Sequence, residues 1–450
     1  MTRPPKERRY YALIPHPSAA GVLLVETAGG WEPPGVTNTD ANLFAGGPLA
    51  AWVQEHLGLS VTQLRAAEVH IDPADDRWDW ALVALDNHSP DWSPPVEARW
   101  VDRAMLAGLP LAHPEQCATI DAWLAEMESG AVPALRSPWA RPGWWASLTT
   151  WVDKALAERG RALRAPLEQR KVWGISSLLR GDTAQGAVYV KACATQPLFT
   201  NEATFTAGLA ARYPAWVPTP LAVEGERRWM LLDDFGGELL ETAPPAAWVA
   251  TVDAFATLQI ESVGQVDALL AAGCLDRRLD RVIAALPALL ADVQAYHHAL
   301  TDAELAAFAA CLPELEAACA ELAAGGVPQT LVHGDLHDNN IAIVDAQPLF
   351  FDWSDACIAH PFFDLTTLFF GEHFTAHPQE RDALQDRYLG HWTAYAPLAD
   401  LRRMATLATR LGSLHQVISY ISIVRNLEPA ARWENSGGID EFVRQILGSA

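Results

Sequence analysis

The residues best equipped for chemistry in this 450-residue chain lie in 331–355, LVHGDLHDNNIAIVDAQPLFFDWSD. Leu331 and Val332 lead into His333-Gly334-Asp335, and Asn340 completes the spacing H-G-D-x-x-x-x-N. An apolar run at 341–344, a turn and a second run at 349–351 then deliver Asp352. Asp335, Asn340 and Asp352 are thereby predicted at the ends of short buried strands. Hard cations such as Mg²⁺ take carboxylate and carbonyl oxygens together with substrate phosphates. Phosphoryl transfer needs one aspartate to receive a hydroxyl proton, and an asparagine and a second aspartate to hold metal. The order and spacing fit that division of labour.

Such a loop needs a partner that holds phosphates. Of 32 basic residues only four are lysines: Lys6, Lys154, Lys171 and Lys191. Lys191 falls in the apolar run VYVKA, where a charge is costly unless paired. An ammonium is a compact point charge that a guanidinium does not reproduce. Between 192 and 223 the single acid is Glu202. It shares i, i+3, i+7 spacing with Phe205 and Leu209, so it belongs to the buried stripe of a helix, with Thr200 or Asn201 as its cap. Lys191 and Glu202 match the strand lysine and helix glutamate that position ATP phosphates in kinase-like folds. Residues 228–237, RWMLLDDFGG, form an apolar strand running into Asp233. Asp234-Phe235-Gly236 spells the kinase metal tripeptide. It precedes the HGD loop, whereas the metal aspartate must come after that loop, so Asp234 is rejected as a metal ligand.

The HGDxHxxN string and the following FDW resemble the catalytic loop of the aminoglycoside phosphotransferase and choline kinase-like family, small-molecule kinases with the protein-kinase fold. The resemblance covers roughly residues 165–370. It implies a two-lobed α+β phosphotransferase using ATP and Mg²⁺, with Asp335 as catalytic base and Asn340 and Asp352 as metal ligands. The segment at Asp233 looks like the family's hinge, where backbone groups would receive adenine. The string at 360–365, HPFFDL, fits the family's structural segment, with Asp364 and His333 in positioning roles. No G-x-G-x-x-G precedes Lys191; the loop near Ser176-Ser177 or Arg180-Gly181-Asp182 is expected over the phosphates instead. The resemblance implies an acceptor site between the catalytic loop and the late helices, with Asp338, Asp355, His415, Tyr420, Glu428, Trp433 and Glu434 as candidate liners.

Upstream, strands are predicted at 10–15, 21–26, 64–71, 78–85 and 98–101, with helices at 48–57, closed by Gly58, and 113–127. Residues 29–40, GGWEPPGVTNTD, read as a loop. This order resembles a Nudix domain. That family's metal-binding helix aligns with 51–59, where Glu55, Gly58 and Leu59 fit, Trp52 and His56 replace carboxylates, and Ala51 replaces the arginine. One carboxylate cannot hold the metal that diphosphate hydrolysis needs. A Nudix-like module without hydrolase activity is therefore expected.

The expected organisation is a small Nudix-like α/β domain at 1–130, then a Pro-rich linker and bridging helix at 131–164. A kinase-like small lobe at 165–236 and a helical large lobe at 237–450 complete it. Strands are predicted at 169–179 and 187–192, and helices at 144–163, 245–260, 279–323, 378–388, 399–420 and 439–447. The formal charge of −23 disfavours nucleic acid and anionic membrane as partners and leans towards a cationic acceptor. Six scattered cysteines without a C-x-x-C pair argue for reduced thiols in a cytoplasm. The basic first residues adjoin no apolar signal core, and no long apolar run suggests a membrane span. The acceptor is a small-molecule hydroxyl: aminoglycoside, amino alcohol, sugar or similar. The alternatives are an inactive nucleotide-binding pseudokinase fused to a Nudix-like sensor, and a Nudix-type hydrolase.

Overall fold

A computed structural model describes residues 6–38, 42–72, 77–197 and 199–448. It contains two compact units, residues 1–192 with 427–431, and residues 193–426 with 432–450.

The first unit is built on two small sheets. In one, the order is Gly35–Asn38, Arg8–Leu13, Arg77–Asn87, Val61–Asp72, with Arg8–Leu13 and Arg77–Asn87 parallel. In the other, Val22–Thr27 lies between Gly30–Glu32 and Ala98–Val101. The stretch 29–40, expected as a loop, thus contributes a strand to each sheet. Pro33-Pro34 lacks ladder donors and marks the switch between them; residues 39 and 40 lie outside the described residues. Tyr11, Leu13, Leu24, Leu82, Ala84 and Val101 bring the sheets onto Ile120, Trp123 and Leu124 of the helix Cys117–Ser129. The helix Gly46–Leu57 stops at Gly58, whose φ of 69° suits glycine.

Further along, the helix Trp144–Ala157 is shorter than expected, because the left-handed Gly160 turns the chain. The single strand expected at 169–179 is a hairpin of Glu168–Val172 and Ser176–Thr183, broken where the Trp173 N–H donates to the Ser176 carbonyl. Next in this order comes Gly186–Cys193, which carries the chain out of the unit.

The second unit is mostly helical. One apolar core runs from Phe205 to Ile446 and includes the fully buried Phe255, Phe308, Trp353 and Trp392. The helix predicted over 279–323 is two, Leu279–Tyr296 and Asp302–Ala324. The break is held from outside: the N–H groups of His298 and Ala299 donate to the Asp440 carboxylate at 3.0 and 2.5 Å. Thr301 and Glu304 then form a reciprocal capping box for the second helix. The late helices run longer than expected, as Leu398–Asn426 and Trp433–Gly448, because their apolar faces pack on one another. Small sheets present the loops. Thr330–Val332, Cys357–Ala359 and Leu275–Asp276 form one; Glu238–Leu239, Ile341–Val344 and Gln347–Phe350 form another. Asp345 and Ala346 both have positive φ, the two-residue hairpin conformation that matches strand twist.

Among the described residues no helix is long and apolar enough to cross a membrane. All six cysteines are free thiols.

Candidate active site

The strand Thr330–Val332 ends at His333, and three buried features fix the loop that begins there. First, the Asp364 carboxylate accepts the backbone N–H groups of His333 and Gly334, both at 2.9 Å. Gln259 Nε2 donates to the same carboxylate at 3.1 Å, and Tyr388 OH donates to Gln259 Oε1. Second, Gln416 Nε2 donates to the Gly334 carbonyl at 2.6 Å. Third, Gly334 has φ of 85°, and a Cβ there would lie 2.4 Å from the Asp355 carbonyl oxygen, so only glycine fits. Were Asp364 removed, two buried N–H groups would be orphaned at about 1–3 kcal/mol each.

This clamp presents Asp335 with its side chain 44% exposed, the accessibility a proton acceptor needs. Asn340 Nδ2 donates to the Asp335 carbonyl at 2.9 Å and reaches its Oδ2 at 3.4 Å. The amide nitrogen is thus committed to the loop, which leaves Oδ1 as the donor atom for a cation. Asp352 sits in the left-handed region (φ 63°, ψ 59°). That conformation lets the chain leave Gln347–Phe350 and turn at once into the short turn Trp353–Asp355. Ser354 Oγ lies 3.0 Å from both Asp352 Oδ1 and Asp355 Oδ2, linking the two carboxyl groups. The Phe351 N–H donates to the Asn340 carbonyl at 3.1 Å, tying the two segments together. His333 is fully buried; its ring packs on Trp353 and its Nε2 bonds the Phe351 carbonyl at 2.9 Å.

The electrostatics are those of crowded carboxylates. Burial, then the charges of Asp335 and Asp352, push Asp355 up to about 8. Burial pushes Asp364 up to about 7 against its two backbone donors. Burial holds His333 down to about 4. Burial also works against protonation of His337, but Asp335, 3.6 Å from its Nε2, outweighs it and the pKa is raised. A concentration of oxygen donors and negative charge of this kind is what a divalent cation satisfies. Asn340 and Asp352 fit such an ion by donor type.

Of the other predicted residues, Lys191 lies half-buried in Gly186–Cys193, in the first unit. Glu202 opens the helix Glu202–Arg212 in the second unit and is 1% exposed, on one buried face with Phe205 and Leu209. It accepts from Cys193 Sγ at 3.0 Å. The expected side-chain cap is not formed: Asn201 Nδ2 donates to the Gly225 carbonyl and Thr200 Oγ1 to the Gly273 carbonyl. Asp233 is exposed at the end of Trp229–Asp233. Asp234 Oδ1 accepts the Gly236 N–H, a local turn, and Phe235 packs on Phe351 with ring centroids 5.3 Å apart.

Among the candidate liners, Glu428 is a correction. It lies in the first unit and accepts from Arg136 Nε at 2.6 Å, so its charge is already committed to a structural ion pair. His415 is buried against Phe363 and Cys357 Sγ, held down to about 3 by burial, and has a packing role. Sequence reasoning missed Gln259, Tyr388 and Gln416. The one signal available was a polar side chain within an apolar helical stretch, as in LGSLHQVISY for Gln416.

An exposed aspartate on a clamped loop, with an amide and a second carboxylate behind it, is an arrangement for phosphoryl transfer. Residues 176–398 match the model of the phosphotransferase enzyme family, APH, which supports a phosphotransferase. No curated protein sequence matches. Solved structures similar to the chain include the choline kinase LicA of Streptococcus pneumoniae, 15% identical, with 68% of this chain and 100% of that one covered and a TM-score of 0.47. Another is a choline/ethanolamine kinase family protein from Mesorhizobium loti, 16% identical, with 67% and 98% covered and a TM-score of 0.46. The macrolide 2'-phosphotransferase MphH from Brachybacterium faecium is 16% identical, with 65% and 98% covered and a TM-score of 0.45.

Proposed function

We propose that the chain is an ATP- and Mg²⁺-dependent phosphotransferase that moves a γ-phosphoryl group to a hydroxyl of a small molecule. The observation that carries this reading is the half-exposed Asp335 on a loop whose neighbouring N–H groups are fixed by Asp364. Asp335 takes the acceptor's hydroxyl proton as its oxygen attacks the γ-phosphorus. Asn340 and Asp352 would hold Mg²⁺, which when bound neutralises charge on the phosphate oxygens. Lys191 orients the phosphates, with Glu202 as its partner, and backbone groups at Asp233 receive the adenine.

The acidic chain, at −23, favours a hydroxylated amine as acceptor, and a cytoplasmic setting suits both ATP and the free thiols. Residues 1–130 are read as a Nudix-like module without hydrolase activity. Two sheets, the helix Gly46–Leu57 and a closing helix support that reading, and Trp52 and His56 stack on each other with centroids 4.8 Å apart where carboxylates would stand.

The test is ADP release from ATP across a panel of aminoglycosides, amino alcohols and sugars, with Asp335→Ala as blank. Turnover should fall by roughly 10²–10⁴-fold in the variant while nucleotide binding stays intact. Equal turnover by the two proteins would remove Asp335 from the chemistry.

A further inference from the structure

The first unit holds a cavity of about 400 Å³ that the phosphotransferase reading does not use. Its walls are residues 15–20, the strands Val61–Asp72 and Arg77–Asn87, the helix Cys117–Ser129 and residues 130–142. No residue of the helix Gly46–Leu57 lines it, so it is separate from the Nudix-like helix.

Two charged side chains on this wall have unused hydrogen-bonding capacity. Arg65 is 18% exposed, and among the described residues its guanidinium makes no hydrogen bond. Among the described residues its ion pair is with Glu126 at 3.6 Å, beyond hydrogen-bond length for such a pair. Both Glu126 oxygens are already taken by Arg136, at 2.6 and 2.8 Å, and Arg136 Nε takes Glu428. The Arg136 cluster is therefore complete without Arg65. The second is Asp86, 8% exposed, whose Oδ2 accepts the Gly143 N–H at 2.8 Å. Its Oδ1 meets no donor among the described residues. A guanidinium and a carboxylate oxygen at a cavity wall that the protein's own hydrogen bonds do not occupy are free to take a ligand's charged groups.

Their placement is set by the sheet. Arg65 stands opposite Ala84 across a register shift between Gln63 and Arg65, and Asp86 is two residues further along. A bulge of this kind re-aims side chains at functional sites. Diagonal neighbours across a sheet are ~7–8 Å apart, a span a small molecule bridges. Trp123 and Met127 add apolar surface to the same lining. The charged lining balances, with Arg65 and Arg136 against Asp86 and Glu126, so neither a plain anion nor a plain cation is favoured. The volume lies at the lower end of the small-molecule range.

We propose that this cavity binds a small zwitterion of the α-amino acid class, its carboxylate on Arg65, its ammonium on Asp86 and its side chain against Trp123 and Met127. Calorimetric titration of the full chain with the proteinogenic amino acids tests this, each ligand that binds being compared with its amide and its N-acetyl derivative. At least one amino acid should bind, with both derivatives weaker by roughly tenfold or more, since each loses one of the two charged contacts. Arg65→Gln should weaken binding by at least about tenfold. Val132→Trp, a change at a rim residue 49% exposed, should block the cavity without lowering the melting temperature, and it carries the test if Arg65→Gln does not fold. Absence of binding by the whole panel overturns the proposal. So does an N-acetyl derivative that binds as well as its parent, or affinity unchanged in Val132→Trp.

Discussion

The loop at residues 333–340 and the helix Gly46–Leu57 both carry carboxylates within motif-like spacings, and they differ in what stands behind those carboxylates. Behind Asp335 lie Asp364, Gln259, Tyr388 and Gln416, each spending a buried hydrogen bond on the loop backbone or on one another. Glu55 is exposed on its helix, and its neighbours Trp52 and His56 face each other, with the His56 ring bonded to the Trp52 carbonyl. A reactive group needs a supporting shell that removes its freedom. The loop has one and the helix does not.

The strongest way to break this contrast is at Gly334. Gly334→Ala forces a side chain into left-handed backbone and against the Asp355 carbonyl. The backbone conformation alone costs about 1–3 kcal/mol. Turnover should fall at least ~100-fold with the loop displaced, as a misplaced reacting group does; steady-state kinetics and thermal melting check it.

A second test uses pH. Burial holds His360 and His415 down to about 3 and His333 to about 4. Each is neutral when folded and takes up a proton on unfolding below the ordinary 6.5. The unfolded state then binds more protons, so these groups' stability is present above pH 6.5 and is lost as pH falls towards 3–4. Each contributes a slope of up to ~1.4 kcal/mol per pH unit. Denaturant unfolding of His415→Gln across that range should show one such slope removed; an unchanged pH profile would mean that His415 is protonated in the fold.

Smaller still is Gln416→Leu, which deletes one bond to the Gly334 carbonyl. Stability should drop by about 1 kcal/mol. Because the lost contact positions the loop and touches no substrate, kcat should fall several-fold with the KM for ATP held, a split that general destabilisation does not produce. At the bottom of the scale, Glu55→Gln should leave turnover unchanged and stability within about 0.5 kcal/mol. Loss of a diphosphate-hydrolase activity in that variant would instead place chemistry on the helix.

The sequence determined the local features. The H-G-D-x-x-x-x-N spacing, the glycine at 334, the strand around Lys191 and the buried stripe of Glu202, Phe205 and Leu209 were all readable, because periodicity and backbone restriction act over a few residues. Breaks imposed from a distance were not: the helix over 279–323 ends at Tyr296 because Asp440 captures the N–H groups just beyond it. The burial that sets the histidines' protonation was equally invisible, as was the capture of Glu428 by Arg136. The clamp on the HGD loop belongs to the same class, since Gln259, Asp364, Tyr388 and Gln416 are spread over more than 150 positions of the chain. Only packing brings them to one loop, and hydrogen bonds between residues so far apart leave no spacing in the sequence to read.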